Sequence, residues 1–268
     1  MPIKVYQKNV GLEYEFPKHT FKFHAGEVHT KISPLDGCYV FPSPIYIKFD
    51  FDGSDSIIEL LMVVDVLRRE YDGLDLVLEM PYVPFGRGDQ VQNPGEPFPL
   101  EVFANLINSL NFKQVIIEDA HSKVTPALIH RCKEIRQSQI HHLPLEGRHN
   151  YWLVAVDEGS SHKIFEVAQT YNRGCLGIIQ CTKIRDTKDK GKIIRTDVHF
   201  DWFNDDEEAV MVDDIADGGK TFIEVAKILR EKCCKKITLM VTHGFFFKGL
   251  DVFDGLIDEI YTREGRVK

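Results

Sequence analysis

The amino-acid sequence predicts an α/β protein made of mainly parallel sheets flanked by helices. Short apolar runs typical of buried strands alternate with stretches whose apolar residues recur at helical spacing. Nearly every reactive side chain directly follows such a strand, and in open α/β sheets ligands bind at the carboxyl ends of the strands. The alternation restarts after a polar connector, residues 137–150. We therefore predict two domains, residues 1–143 and 144–268, with a cleft between them.

The bulk composition excludes several classes of protein. With 268 residues, 43% of them hydrophobic, the chain is long enough for two medium-sized cores. A formal net charge of −8 gives no general attraction to nucleic acid. The sequence has no apolar run of the about 18 residues that a membrane helix needs. Its six cysteines lack a metal-binding spacing, which indicates reduced thiols. We expect a cytoplasmic protein with small-molecule partners that binds neither nucleic acid nor membranes.

In the first half of the chain, residues 1–50 are typical of short strands and turns, with one turn at residues 23–27. Helical periodicity follows, and Asp55 or Ser56 is the expected N-cap of the first helix. The predicted helices are Ser56–Tyr71 and Leu100–Leu110, and the predicted strands are Leu74–Met80 and Gln114–Ile117.

In the second half, the alternation continues and ends in one long polar segment. The predicted strands are Tyr151–Val156, Leu176–Gln180, Ala209–Val212 and Lys236–Thr242, and the predicted helices are Ile164–Tyr171 and a segment that begins near Phe222. Residues 186–207 are polar and charged, which favours a loop containing one hairpin.

The stretch from Glu208 to Ala226 carries the most informative pattern. A buried strand is followed by Asp213-Asp214, a glycine-bearing turn and a helix. Such a unit directs backbone N–H groups and the positive end of a helix at one point, which suits a phosphate. The two carboxylates suit ribose hydroxyls or a hydrated Mg²⁺. An ordinary βα turn with capping aspartates is the alternative.

Seven stretches in the same order resemble motifs of the PRPP synthetase (ribose-phosphate diphosphokinase) family, across most of residues 20–250. They are Phe23-x-x-Gly26-Glu27, Pro81-Tyr82 with Arg87-Gly88-Asp89, Asp119-Ala120-His121-Ser122, Asp157-x-Gly159, Lys183-Ile184-Arg185, the loop from Asp213 to Thr221, and Thr242-His243-Gly244. The resemblance implies two phosphoribosyltransferase-like domains. It also implies transfer of the β,γ-diphosphoryl group of ATP to the C1 hydroxyl of ribose 5-phosphate, giving PRPP and AMP.

The resemblance further implies a role for each matching residue. The catalytic residues would be Lys183, Arg185 and His121. The ATP-binding residues would be Phe23, Glu27, Arg87, Asp89 and His121. The acceptor would bind to Asp213, Asp214, Asp217, Gly218, Gly219, Lys220 and Thr221, and Mg²⁺ to His121 and Asp157. Phe23 and Glu27 would reach a neighbouring subunit, so the resemblance implies a homo-oligomer, a dimer or a hexamer.

The sequence departs from the family pattern mainly in the substrate pockets. Gly218 stands where the family has Thr or Ser, Lys220 where it has Gly, and Gly88 where it has Gln. One interpretation is a divergent, phage-type member that acts in NAD⁺ metabolism in the host cytoplasm. It would convert ADP-ribose to ADP-ribose pyrophosphate, with Lys220 meeting the additional phosphate. The other is neutral drift in an ordinary PRPP synthetase.

Other functions remain open at this point. A PRPP-consuming phosphoribosyltransferase would use the same loop without an ATP site, and a regulatory homologue would keep the fold without the chemistry. For single residues, His121 has the alternative of a capping or core histidine. Lys183 and Arg185 have the alternative of a solvated pair, and Arg87 that of a surface arginine.

Overall fold

The computed structural model describes residues 2–33, 43–140, 145, 147–185 and 193–268. The chain divides into two compact units, Met1–Ile135 and Arg136–Lys268. The predicted boundary after residue 143 lies outside the described residues, so that division of the chain stays a prediction. Each unit is built around a sheet and has its own hydrophobic core.

The first unit contains a sheet whose later strands are parallel. Among the described residues its order is β2-β1-β5-β6-β7-β8, with β1 antiparallel to β2 and β5 and the strands from β5 to β8 parallel. The elements are β1 Ile3–Asn9, β2 Leu12–Glu15, β3 Lys18–Lys22, β4 Val28–Ile32, β5 Ile45–Phe49, α1 Ser54–Glu70, β6 Leu76–Glu79, α2 Pro99–Ser109, β7 Gln114–Glu118, α3 Val124–Leu128 and β8 Cys132–Ile135.

Alternating burial explains why β5 and α1 pack together. Ile45, Ile47 and Phe49 of β5 are fully buried at every second position, as expected for a strand with one face on a core. Leu60 and Leu67 of α1 are buried on the same core at helical spacing. Each such side chain contributes about 1.5–3 kcal/mol through removal from water.

The hairpin formed by β3 and β4 is attached to α1 by buried polar groups. Lys18 forms an ion pair with Glu59, and the two side chains are 4% and 5% exposed. The Thr20 hydroxyl also donates to Glu59 at 2.7 Å. The turn at residues 23–27 lies at the free end of this hairpin, so these contacts fix the direction in which the turn projects.

The second unit is a larger sheet that follows a 3₁₀ turn at Gln137–Gln139. Within the described part of the chain its order is β11-β10-β9-β12-β13-β14-β15, with parallel pairing from β10 to β14 and antiparallel strands at both edges. The elements are β9 Tyr151–Ala155, α4 Ser161–Thr170, β10 Cys175–Arg185, β11 Ile193–Val198, β12 Glu208–Ala216, α5 Lys220–Glu231, β13 Lys236–Gly244, a 3₁₀ turn Asp251–Phe253, β14 Glu259–Thr262 and β15 Gly265–Arg266.

This strand order creates a topological switch point between β9 and β12. From β9 the chain passes through α4 to β10 on one side, whereas β12 lies on the other side and leads through α5 to β13. In open α/β sheets, ligands bind at such a point, outside the carboxyl ends of the strands. The segments at the ends of β9 and β12 are therefore the expected position of a binding site.

Two strands of the second unit are longer than the sequence predicts. The prediction that β12 ends at Val212 is wrong, because β12 pairs with β13 as far as Ala216 and therefore includes Asp213 and Asp214. Strand β10 likewise continues to Arg185 because β11 pairs with it beyond the end of β9. The hairpin expected within residues 186–207 is thus formed by β10 with β11, and residues 186–192 lie outside the described residues.

The predicted N-cap of α1 is also wrong. The helix begins at Ser54 after Gly53, whose φ of 94° is readily adopted only by glycine. The Ser56 hydroxyl donates to the Gly53 carbonyl at 2.6 Å instead of capping the helix from outside. The start of the helix is otherwise within two residues of its predicted position.

The α/β fold class with mainly parallel sheets and flanking helices is confirmed. Searched over its described residues, the chain shows no helix that is both long and apolar enough to span a bilayer. Cys132, Cys175, Cys181, Cys233 and Cys234 carry free thiols.

Candidate active site

A lysine–carboxylate pair lies at the carboxyl end of β9. Lys183 Nζ donates to Asp157 Oδ2 at 2.9 Å and to the Thr221 hydroxyl at 3.3 Å. The Lys183 side chain is 9% exposed, whereas that of Asp157 is 34% exposed. Three predicted site residues from three different segments, β10, the loop after β9 and the first turn of α5, therefore meet within hydrogen-bonding distance.

The loop after β9 holds Asp157 in place through backbone contacts. The Ser160 amide donates to Asp157 Oδ1 at 3.0 Å, and the Ser160 hydroxyl donates to the Asp157 carbonyl at 2.9 Å. Partial burial raises the pKa of the Asp157 carboxyl, but the hydrogen bond and charge of Lys183 outweigh it, so the pKa lies below its usual value. Asp157 is consequently an ionised, oriented and partly exposed carboxylate at neutral pH.

The acceptor loop predicted from the sequence leads into α5. Gly219 precedes the helix with a φ of 75°, and no side chain caps the helix. A Cβ at Gly219 would lie 2.5 Å from the Phe253 ring, so the backbone passes close to that ring and only glycine fits. The first turn of the helix contains Lys220, whose side chain is 77% exposed and whose Nζ lies 3.8 Å from Glu224 Oε1. The amides of this turn have the geometry and the helix dipole that favour an anion.

Asp213 and Asp214 differ in their surroundings although they are adjacent. Burial, followed by the charge and hydrogen bonding of Asp214, raises the pKa of Asp213 well above its usual value. Asp214 is 5% exposed, and Lys163 Nζ of α4 lies 3.7 Å from its Oδ2. Gln137 donates to the backbone carbonyl of Asp213 at 2.6 Å. The raised pKa of Asp213 reflects two carboxyl groups in one poorly solvated place.

Sequence reasoning missed Lys163 and Gln137. Lys163 lies in the first turn of α4, and only the docking of that helix shows that it faces Asp214. Gln137 is 2% exposed and belongs to a 3₁₀ turn far from Asp213 in sequence. A lone Lys or Gln in these contexts carries no sequence signal, so neither was predictable.

In the first unit, His121 and the Arg87 loop are neighbours. The Arg87 loop follows β6, and His121 follows the neighbouring parallel strand β7. Arg87 and His121 are exposed, while Asp89 is half-buried. A Cβ at Gly86 would lie 3.9 Å from His121 Cβ, which shows how closely the two loops approach. The exposed position of His121 does not match a core histidine.

Packing accounts for Gly88, which stands where the family has glutamine. A Cβ at Gly88 would lie 2.9 Å from Pro99 Cγ at the start of α2. The Leu100 amide also donates to the Gly88 carbonyl at 3.2 Å, which holds the two segments together. A longer side chain at position 88 would therefore require movement of α2 or of the Arg87 loop.

The predicted turn at residues 23–27 is present. The Phe23 amide donates to the Glu27 carbonyl at 2.9 Å, and the Gly26 amide donates to the Phe23 carbonyl at 2.8 Å. Phe23 is 50% exposed, and Glu27 is also exposed. An exposed aromatic ring at the end of a fixed hairpin is available for contact with another molecule.

For two predicted site residues, Arg185 and Asp217, the structure gives the position in the fold. Arg185 is paired with Ile193 at the end of the β10–β11 ladder, and its side chain lies outside the described part of the chain. Asp217 follows β12 and is exposed. Arg185 lies two residues after Lys183, and Asp217 lies four residues before Thr221. The roles of both stay predictions.

Comparisons with known proteins find similarity to ribose-phosphate pyrophosphokinases and to a related domain family. The phosphoribosyl synthetase-associated domain family matches residues 205–261, which include the acceptor loop. The ribose-phosphate pyrophosphokinase of Mycoplasmopsis pulmonis is 24% identical over 77% of this chain and 64% of its own length. That of Ureaplasma parvum is 28% identical over 72% of this chain and 58% of its own length. That of Aquifex aeolicus is 25% identical over 84% and 70%.

A solved structure shares the fold. The crystal structure of phosphoribosylpyrophosphate synthetase from Mycobacterium smegmatis matches with a TM-score of 0.73 and 17% identity, over 92% of this chain and 80% of that one. These comparisons support assignment of the chain to the PRPP synthetase family. The chain spans 64% and 58% of the length of the first two curated family relatives.

Proposed function

We propose that the protein is an ATP-dependent diphosphokinase. It transfers the β,γ-diphosphoryl group of ATP to the C1 hydroxyl of a ribose 5-phosphate moiety and releases AMP. The observation that carries this proposal is the contact of Lys183 with both Asp157 and Thr221 at the switch point of the second unit. A cation, an ionised carboxylate and a phosphate-binding turn are thereby combined in one small region.

The contacts of Lys183 suit stabilisation of the transferred group. In the reaction, a bond forms between the acceptor C1 oxygen and the β-phosphorus, and the bond between that phosphorus and the oxygen bridging to the α-phosphate breaks. Charge on the β-phosphoryl oxygens has to be stabilised while this happens. The Lys183 ammonium has three donors, of which the two contacts above use two. Its low exposure strengthens any contact with an anion because water screens it less.

The acceptor ribose is proposed to lie against β12 and the start of α5. Asp213 and Asp214 provide oxygens for the ribose hydroxyls, and the amides of the turn from Gly218 to Thr221 receive the 5′-phosphate. Lys163 stabilises the Asp214 carboxylate from α4 and thereby holds it in position. Two adjacent carboxyl groups in a poorly solvated place are costly for folding, which is expected of a site built for binding.

Mg²⁺ is the proposed cofactor, and the donor chemistry of the site fits it. Mg²⁺ is usually held by one or two carboxylates together with substrate phosphates. Asp157 offers an ionised carboxylate, and His121 of the first unit is the second proposed ligand. No group of three or more His, Cys, Asp or Glu side chains able to cage a metal occurs within the described ranges. Bound with the nucleotide, Mg²⁺ would neutralise charge on the phosphate oxygens.

The nucleotide is proposed to use the exposed groups of the first unit. Arg87 suits adenine stacking or a phosphate, and Asp89 and His121 lie on the same pair of adjacent loops. Phe23 and Glu27, at the end of the β3–β4 hairpin, are proposed to complete the adenine site of another subunit. Activity would then require a homo-oligomer, a dimer or a hexamer.

The acceptor is proposed to be ADP-ribose rather than ribose 5-phosphate. Gly218 provides no hydroxyl for a terminal phosphate, and Lys220 adds an exposed cation in the first turn of α5. Both changes favour a phosphate that carries a further charged group over a terminal one. The transfer chemistry is the same for either acceptor, so the general proposal does not depend on this choice.

The proposal is tested by acceptor-dependent formation of AMP. The purified protein is incubated with ATP and Mg²⁺, alone or with ribose 5-phosphate or ADP-ribose, and nucleotides are separated by chromatography. We expect AMP only when an acceptor is present, with a higher kcat/KM for ADP-ribose. Formation of ADP instead of AMP, or no acceptor dependence, would contradict a diphosphokinase. A higher kcat/KM for ribose 5-phosphate would contradict the choice of acceptor alone.

A further inference from the structure

An aromatic ring occupies the space beside Gly218 in the acceptor loop. A Cβ built on Gly218 would lie 2.8 Å from Phe247 Cε1 and 2.9 Å from Phe247 Cζ. Any side chain at position 218 would therefore displace the ring. The Phe247 ring can occupy this position only because residue 218 has no side chain.

The segment that carries this ring is fixed to the end of β12. The amides of Phe245 and Phe246 donate to the Ala216 carbonyl at 2.8 and 3.3 Å. The Phe246 ring packs against Phe253 at a centroid distance of 6.0 Å, and the Gly249 amide closes the turn onto the Phe246 carbonyl at 2.8 Å. The position of Phe247 relative to the acceptor loop is consequently set by the backbone on both sides.

The exposure of the ring argues against a purely structural role. Phe247 is 66% exposed, whereas Phe253, which packs beneath Gly219, is 1% exposed. A phenylalanine that only fills space is expected to be buried, because its stability contribution comes from removal of the ring from water. Phe247 instead presents most of its surface beside the turn proposed to bind the acceptor phosphate.

Cations accompany the exposed ring. Lys248 Nζ lies 5.8 Å from the Phe247 ring centroid, and Lys220 of the same acceptor loop is 77% exposed. An aromatic surface stacks on a planar heterocycle, and ammonium groups pair with phosphates. The combination matches a nucleotide-like extension of the acceptor better than a terminal phosphate, which offers nothing for a ring to stack on.

We propose that Phe247 is a specificity-determining residue that stacks on the planar base of an acceptor whose 5′-phosphate is linked to a nucleotide. The proposal rests on the proposed function, since it assigns Phe247 to the acceptor side of that reaction. Gly218 is the matching requirement, because a side chain there removes the ring from its position. Lys248 supports the same extended acceptor through its charge.

The test compares two phenylalanines of one turn in two assays. Phe247→Ala removes the ring beside Gly218, and Phe245→Ala removes a ring 47% exposed on the same segment. Direct binding of ADP-ribose and of ribose 5-phosphate is measured by calorimetry, and kcat/KM is measured for both. We expect Phe247→Ala to lower the preference for ADP-ribose about tenfold, the size of one lost stacking contact, in both assays. Phe245→Ala should leave the preference unchanged.

A second variant tests the role of Gly218. Gly218→Thr is expected to reduce ADP-ribose binding as Phe247→Ala does, because the new side chain displaces the ring. Thermal unfolding of each variant shows whether the fold is retained. An unchanged preference in Phe247→Ala, equal losses for both phenylalanine variants, or a wild-type protein that does not bind ADP-ribose more tightly would overturn the inference. Failure of the proposed function appears separately, as absence of AMP with either acceptor while the binding preference is still measurable.

Discussion

Lys183 Nζ lies 2.9 Å from Asp157 Oδ2, and this ion pair joins β10 to the loop after β9. The lysine is nearly buried, and the carboxylate is one-third exposed. Lys183 is therefore held inside the protein, whereas Asp157 remains accessible to a ligand. Because Thr221 at the start of α5 contacts the same lysine, a ligand at the proposed acceptor turn and a ligand at Asp157 would both affect Lys183.

Replacement of Lys183 by alanine should abolish most activity. The Lys183 ammonium donates to both Asp157 and Thr221 of the acceptor turn. Loss of one such donor in a transfer reaction costs about a hundredfold to a thousandfold in kcat. The measurement is the rate of AMP release from ATP with saturating acceptor. Lys227→Ala is the matched control, since Lys227 is an exposed lysine of α5. A Lys183→Ala enzyme as active as the control would contradict the assigned role.

Replacement of Asp213 by asparagine should stabilise the fold at neutral and alkaline pH while weakening acceptor binding. The folded-state pKa of Asp213 is raised, so the unfolded chain loses this proton first as pH rises above about 4. Stability therefore falls as pH rises toward the folded-state pKa, and the neutral amide removes this loss. We expect Asp213→Asn to have the higher Tm at pH 8 and a shrinking difference as pH approaches 4.

Asp157→Asn is the control, because its expected change in Tm has the opposite sign to that of Asp213→Asn. The folded-state pKa of Asp157 is lowered, so its ionised form contributes stability above its unfolded-state pKa. This contribution is lost as pH falls through the folded-state pKa. We expect Asp157→Asn to have a lower Tm than the wild type at pH 7. Equal pH profiles for the two variants would refute the opposite environments assigned to these carboxyl groups.

Replacement of Lys220 by alanine should affect the two acceptors differently. If Lys220 pairs with the second phosphate of ADP-ribose, its loss raises the KM for ADP-ribose about tenfold, as for one hydrogen bond to a charged group. The KM for ribose 5-phosphate should change less. Glu224→Gln separates this effect from loss of the Lys220–Glu224 pair, because it removes the pair and keeps the cation. Equal changes in KM for both acceptors would argue against contact with a second phosphate.

The buried pair of Lys18 and Glu59 should be needed for the position of the β3–β4 hairpin. Removing one partner leaves a buried charge alone, which costs about 3–5 kcal/mol of unfolding free energy. We expect this loss for Glu59→Leu in urea unfolding. The double variant Lys18→Met with Glu59→Leu should recover most of it, since neither charge then remains. A double variant as unstable as the single one would show that the ion pair itself is strongly stabilising.

The sequence was sufficient for the features that depend on local pattern. Apolar periodicity predicts the alternating strands and helices, and the position of polar residues after strands predicts a binding site at the carboxyl ends of the strands. That Lys183 meets Asp157 and Thr221 there is shown only by the structure. Strand lengths were underestimated because β10 and β12 extend only where β11 and β13 offer partners. Pairing of that kind depends on tertiary contacts that no local pattern records.

The remaining features depend on packing between distant segments. The approach of Lys163 to Asp214 follows from the docking of α4, and the position of Phe247 follows from backbone bonds to Ala216. The sequence showed that Gly218 lacks the side chain usual in the family, but not that a ring occupies its place. A small residue in place of a larger family residue, such as Gly218, can be interpreted only when the residue that fills the vacated space is known.

The central claim is that both terminal phosphates of ATP move together to the acceptor. The most direct measurement uses ATP labelled at the β-phosphate, with Mg²⁺ and ADP-ribose or ribose 5-phosphate, and follows the label by chromatography and ³¹P NMR. The account predicts unlabelled AMP and a labelled product with a diphosphate at C1. Label retained in ADP, or released as free diphosphate without an acceptor product, would contradict it.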